Sequence, residues 1–154
     1  MKKELNLSQI QNELFRLLSF FDNLCRTFNL QYCLFGGSLL GAIRYQNLIP
    51  WDDDLDVAMP RPDYERMISS KRIKEYIEKA GLFLLSNSTC KKYHNEFGKL
   101  IDYKITVKPN NKPFDFVEKI GLFLDIFPID NYLECEKLQN KCRIIHSFFI
   151  FHVI

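Results

Sequence analysis

Four carboxylates fall within five positions, at Asp52, Asp53, Asp54 and Asp56, directly before the apolar, β-branched Val57. Crowding of this kind suits a divalent cation. If Asp54-Leu55-Asp56-Val57 is extended, Asp54 and Asp56 project from one strand face while Leu55 and Val57 point the other way into a core. Two carboxylates then meet one ion. Without it they repel and raise one another's pKa. The plain alternative is a solvated acidic loop.

The segment upstream must position that cluster. Tyr32-Cys33-Leu34-Phe35 reads as a short buried strand, Gly36-Gly37-Ser38 breaks it, and Leu39-Leu40-Gly41-Ala42-Ile43-Arg44 reads as a helix start. In this strand, glycine turn and helix, the glycines allow positive φ and close approach to a ligand. Ser38 can cap the helix, whose first N–H groups point at a phosphate. The plain alternative is a helix-capping turn that binds nothing.

Together the blocks Phe35-Gly36-Gly37-Ser38-Leu39-Leu40-Gly41-Ala42-Ile43-Arg44 and Ile49-Pro50-Trp51-Asp52-Asp53-Asp54-Leu55-Asp56-Val57-Ala58-Met59-Pro60 resemble the signature of the LicD and fukutin family. A third block, Gly121-Leu122-Phe123-Leu124-Asp125-Ile126-Phe127-Pro128-Ile129-Asp130, is similar to that family's later motif, an Asp between apolar strand residues. The resemblance runs from about Leu5 to Asp130 and makes Asp125 the third acid. It implies an α/β (α+β) fold, a nucleotidyltransferase-like mixed β-sheet flanked by helices with an N-terminal amphipathic helix. It also implies transfer of phosphocholine from CDP-choline, of ribitol phosphate from CDP-ribitol, or of a sugar phosphate. The implied acceptor is a sugar hydroxyl of a cell-surface glycan such as lipopolysaccharide, teichoic acid or capsule.

The carboxylates set the chemistry. Mg²⁺ prefers oxygen ligands and is commonly held by one or two carboxylates plus substrate phosphates, which suits Asp54 and Asp56, with Mn²⁺ an equivalent occupant. Asp53 is a further candidate ligand, and Asp52 is expected to cap or orient the loop. Asp125 either bridges a second ion or accepts the acceptor hydroxyl's proton. Expected phosphate contacts are Gly36, Gly37, Ser38, Arg44 and Lys99, with Lys104 also considered; the plain reading of either lysine is a solvated surface residue. Trp51 is expected to pack beneath the acidic loop. His94, His146 and His152 lie outside these blocks, which leaves a Ser/His/Asp hydrolase or a His-rich zinc site little support.

Composition fits one domain over the 154 residues, since 47% hydrophobic content is ample for a core. A net charge of +2 is too small to argue for nucleic acid. The five cysteines, Cys25, Cys33, Cys90, Cys135 and Cys142, lack paired zinc spacing and read as reduced, mostly structural thiols, with Cys25 and Cys33 on apolar faces. No secretory signal is evident after Met1, so a cytoplasmic location is expected, with the inner face of the membrane as a variant.

Apolar residues from Ile10 to Phe28 recur at spacings of three and four, predicting an amphipathic first helix with Ser8 as N-cap. Asp63 to Ala80 reads as one helix ended by Gly81. Leu82 to Ser86, Phe97 to Asp102, Lys104 to Lys108 and Leu122 to Phe127 read as strands. The segment 144–154 is strongly apolar yet too short to span a bilayer, which suggests a truncated family member, a peripheral membrane helix or an oligomer contact. Two other functions stand beside phosphotransfer: an Asp-x-Asp glycosyltransferase, and a non-catalytic truncated or subunit form.

Overall fold

The computed structural model describes residues 5–107 and 120–130. The expectations for Cys135, Cys142 and the apolar segment 144–154 lie outside them.

Helix α1 (Leu7–Phe28) starts at Asn6, not Ser8. The Asn6 side chain accepts from the Gln9 N–H at 2.9 Å, and the Gln9 side chain accepts from the Asn6 N–H at 3.0 Å. This reciprocal pair satisfies two helix-terminal donors. Leu14, Leu17, Phe21, Leu24 and Cys25 form its buried stripe. Strand β1 (Cys33–Leu34) leads into α2 (Gly36–Tyr45), which is followed by the acidic loop and β2 (Asp56–Pro60). The single helix expected over 63–80 is instead α3 (Arg61–Ser69) and α4 (Lys71–Lys79). Ser70 separates them with extended backbone (φ −73°, ψ 119°), and its side chain caps α4 at the Ile73 N–H.

Strands β3 (Phe83–Leu85), β4 (Gly98–Val107) and β5 (Ile120–Ile129) complete a five-stranded mixed sheet of order β1-β2-β5-β4-β3. The pair β2 and β5 is parallel, and the other pairs are antiparallel. The two strands expected at 97–102 and 104–108 are one strand with a register shift between Asp102 and Thr106. Gly121 sits against that irregularity, where a Cβ would lie 2.3 Å from the Asp102 carbonyl oxygen. Arg16 of α1 reaches down to Asp102, whose carboxylate is buried, and the same carboxylate accepts from the Lys104 N–H at 2.9 Å.

Alternation along the strands gives the sheet two unlike faces. Val57, Met59, Leu100, Leu122, Leu124 and Ile126 face the main core, packed with residues of α1, α3 and α4. Truncating a fully buried leucine such as Leu14 or Leu124 to alanine costs about 2–5 kcal/mol in cores of this kind. The opposite face carries Asp56, Asp125 and Lys99. It is therefore the main core that holds the sheet rigid beneath them. At the far end of the central pair, Arg61 forms a two-pronged ion pair with Asp130, with contacts of 2.7 and 2.6 Å.

Candidate active site

Three carboxyl-bearing residues and one ammonium define the polar face. Asp56 and Asp125 are register partners across β2 and β5, and Lys99 is the register partner of Asp125 across β4 and β5. Register partners point to the same side of a sheet, so the three side chains form one row across adjacent strands about 4.8 Å apart. Asp54 lies just before β2, held in place because buried Leu55 anchors the chain between the two acids and its carbonyl accepts from the Asp125 N–H at 2.9 Å.

The glycine turn abuts this row. Helix α2 begins at Gly36, with positive φ of 53°, and a Cβ there would lie 3.1 Å from Asp56 Oδ2. At Gly37 a Cβ would lie 2.8 Å from Asp52 Oδ2. Both glycines are therefore the reason carboxylates reach the helix N-terminus, whose first N–H groups have no acceptor within the helix. Gly41 plays a different part: a Cβ would lie 2.7 Å from the Asn47 carbonyl and 2.9 Å from the Ile49 nitrogen, so the loop crosses directly over α2.

Ser38 is not the helix cap. Phe35 occupies that position without a side-chain hydrogen bond, and Ser38 sits buried in the first turn. Its Oγ accepts from the Asp56 N–H at 2.8 Å, tying α2 to β2. Its oxygen serves the strand that bears the acid, because the helix starts three residues earlier than the residue types suggest.

Electrostatics mark the row as short of positive charge. Burial first, then Asp52, Asp53 and Asp125, push the Asp54 carboxyl up to about 6, helped by its hydrogen bond with Asp52. Burial, then Asp54 and Asp125, push Asp56 up to about 7, while Lys99 draws it down. Burial also raises Asp125, with Lys99 working against it. The donor set is all oxygen, which suits Mg²⁺ or Mn²⁺. Among the described residues no three acidic, His or Cys side chains converge in a ready metal-holding arrangement. Asp54 and Asp56 thus offer a two-carboxylate hold that leaves the remaining positions to water and substrate, the arrangement Mg²⁺ commonly takes.

The other expected residues divide. Lys99 is buried, not a solvated surface residue: it pairs with Asp125 and lies 3.7 Å from the Phe123 ring centroid and 5.2 Å from that of Phe97. Arg44 is in the last turn of α2, its guanidinium over the Tyr45 ring, about 12 Å along the helix from Gly36 at 1.5 Å per residue. It is not brought to the row. Lys104 sits exposed beside Gly81, also away from it. Asp53 is exposed on the loop. Trp51 does not pack beneath the loop; it is 72% exposed and meets only the edge of Tyr45 among described ring contacts. Cys33 is exposed rather than on an apolar face, whereas Cys25 is buried, which pushes its thiol up to about 12.

Two contributors escape a motif search. Gln11 of α1 donates to the carbonyls of Ile49 and Asp52, at 3.1 and 2.9 Å, and pins the acidic loop. Phe97, Phe123 and Phe127 wall the row, with Phe97 stacked on Phe127 at 4.7 Å and Phe35 5.4 Å from Phe127. The two-residue spacing of Phe123, Asp125 and Phe127, and of Phe97 and Lys99, is the signal that places them on one face.

Comparison with known proteins places the chain in a family. The chain is 31% identical to the lipopolysaccharide cholinephosphotransferase LicD of Haemophilus influenzae over 94% of its own length and 49% of that protein's. It is 27% identical to an uncharacterized protein of Rickettsia typhi over 99% of its length and 52% of the relative's. The chain thus spans about half the length of these curated relatives. The family model described as LicD/FKTN/FKRP, nucleotidyltransferase domain, matches residues 29–146, which contain the glycine turn, the Asp-x-Asp strand and Asp125. The chain belongs to the LicD/FKTN/FKRP nucleotidyltransferase-domain family.

Proposed function

We propose that this chain carries the catalytic site of a divalent-metal-dependent phosphotransferase that moves a phosphorylated group from a nucleotide-diphosphate donor to a sugar hydroxyl of a cell-surface glycan. The observation that carries the reading is the row itself: Asp56 and Asp125 in register, Asp54 beside them, and the N-terminus of α2 opening onto their carboxylates. The cholinephosphotransferase named above favours phosphocholine, from a CDP-choline-like donor to lipopolysaccharide, over ribitol phosphate or a sugar phosphate.

Asp54 and Asp56 are the residues to hold Mg²⁺ or Mn²⁺, which when bound supplies the positive charge that phosphate oxygens need near these acids. The N–H groups at Gly36 and Gly37 are our candidates to meet a phosphate oxygen. We assign Asp125 to the acceptor side, where burial raises its carboxyl, the direction that favours a general base. Among the described residues no helix is long and apolar enough to cross a membrane, and we assign the reaction to the cytoplasmic side, where nucleotide-activated donors are made.

The test is product identity. Incubation with CDP-choline, Mg²⁺ and lipopolysaccharide should release CMP, and the same reaction with Asp54→Asn should not. Release of CDP from a CDP-sugar would instead favour the Asp-x-Asp glycosyltransferase. Absence of both products, together with absence of metal-dependent nucleotide binding, would favour a non-catalytic role.

A further inference from the structure

Two residues along the strands from the acids, the same face of the sheet turns aromatic. Cys33, Ala58 and Phe127 are register partners across β1, β2 and β5, and the Phe97 ring stacks on that of Phe127 at 4.7 Å. Phe35 donates its N–H to the Asp56 carbonyl at 3.1 Å, and its ring stands 5.4 Å from that of Phe127. The two planes are inclined at 45°, which makes a notch and not a closed stack. Phe35 is 46% exposed, and Asp56 Oδ2 lies 3.1 Å from where a Cβ would stand on its chain neighbour Gly36. An apolar ring is thus held at the surface beside a carboxylate. Lys99 lies over the rings of Phe97 and Phe123, on β4, whereas Phe35 follows β1, so the notch and that ammonium stand at opposite ends of the wall.

Ring faces and a carboxylate suit a cation that forms no hydrogen bonds. A quaternary ammonium is attracted to the negative face of an aromatic ring, and its methyl groups lose nothing by leaving water for an apolar wall. A ribitol or sugar phosphate would instead set several hydroxyls against Phe35, Phe127 and Ala58, whose side chains offer them no partner, and an unpaired polar group is costly to bury. The spacing also fits, since two residues along a strand cover about 6.8 Å, and the two-carbon bridge of choline separates its nitrogen from its phosphorus by a comparable span. Resting on the phosphotransferase reading above, we infer that Phe35 and Phe127 form the subsite for the trimethylammonium group of a phosphocholine donor, with Phe97 backing the Phe127 ring. These rings are then specificity-determining: they select the group that is transferred, while Asp54 and Asp56 serve its phosphate.

The experiment compares, by calorimetry in Mg²⁺, the binding of CDP-choline, of its neutral isostere with carbon in place of the ammonium nitrogen, and of CMP. Wild type should bind CDP-choline about tenfold more tightly than the isostere, the size of a partly desolvated cation–ring contact. Phe35→Leu and Phe127→Leu keep an apolar side chain without a ring face and should bring the two ligands to parity, with CMP affinity as the internal control. Equal affinity of wild type for both ligands would overturn the inference while leaving the proposed function standing. So would a full preference retained by folded Phe35→Leu. Loss of CMP binding in step with CDP-choline would overturn it too, by assigning the rings to the nucleotide base. Wild type that binds neither CMP nor CDP-choline in Mg²⁺ would sink the phosphotransferase reading itself. Should Phe127→Leu not fold, the surface variant Phe35→Leu and the wild-type preference remain decisive.

Discussion

Asp56 on β2 and Asp125 on β5 face each other as register partners in the parallel pair, so two acids distant in sequence are forced onto one side of the sheet. Burial first, then repulsion from the neighbouring acids, holds Asp56 near 7 and Asp54 near 6, above the ordinary carboxyl value of about 3.9. A carboxyl raised in the folded state binds its proton more tightly there than in the unfolded chain, so its contribution is present at low pH. It is lost as pH rises from about 4 towards about 7. Without divalent ions the melting temperature of wild type should therefore fall relative to Asp56→Asn between about pH 5 and pH 8, and millimolar Mg²⁺ should remove the difference. A melting temperature that rises relative to the variant over that range would contradict the assignment.

Asp54→Asn should lower kcat by roughly 10² or more, since it removes charge from the reacting region without touching the core. The far-ultraviolet circular dichroism spectrum should be unchanged. Full turnover by the folded variant removes Asp54 from the catalytic residues.

Ser38→Ala should act through Asp56. The part-buried Asp56 N–H loses its acceptor, which costs about 1 kcal/mol. Chemical denaturation will report the loss, and Ser38→Thr, which keeps the hydroxyl, should recover part of it. Equal stability of the alanine variant would show that Asp56 finds another partner.

Glycine substitutions should separate site from fold. Gly41→Ala presses on the backbone of Asn47 and Ile49 and should destabilise the chain by about 1–3 kcal/mol. Gly37→Ala presses on the mobile end of the Asp52 side chain, so it should cost less stability and weaken Mn²⁺ or nucleotide binding more. The reverse ranking would mean that Asp52 moves aside without consequence for the site.

Arg16→Met should leave Asp102 buried and short of a counter-charge. Because Arg16 itself is half exposed, the cost belongs at or below the low end of the usual range for breaking a buried pair, about 2–3 kcal/mol. Denaturant midpoints of this variant against Asp102→Asn would show whether the charge is responsible, the latter being the milder change.

What the sequence discloses about the site is mostly local. Asp54, Leu55, Asp56 and Val57 alternate with period two, which is enough to place Leu55 and Val57 in the core, as found. Asp125 came from the family resemblance, since an Asp among apolar strand residues has no local signal of its own. The burial of Lys99 depends on the register between β4 and β5, a non-local property, so a lysine that looks solvated in sequence turns out clamped. Asn6 and Ser8 are both good caps two residues apart, each followed three positions on by a glutamine, so the local residue types do not decide between them. Ser70 splits the expected long helix because its hydroxyl competes for the backbone N–H of Ile73.

Strand order also sets a timetable. β5 is the last of the described strands to be synthesised, yet it lies between β2 and β4. While the chain emerges from the ribosome, at about 5–20 residues per second, Asp54, Asp56 and Lys99 are all present before the strand that joins them. Until β5 inserts, β2 and β4 lack their shared neighbour and the acids lack Asp125. The core and the acidic row are thus completed by one and the same event, the insertion of β5 between β2 and β4.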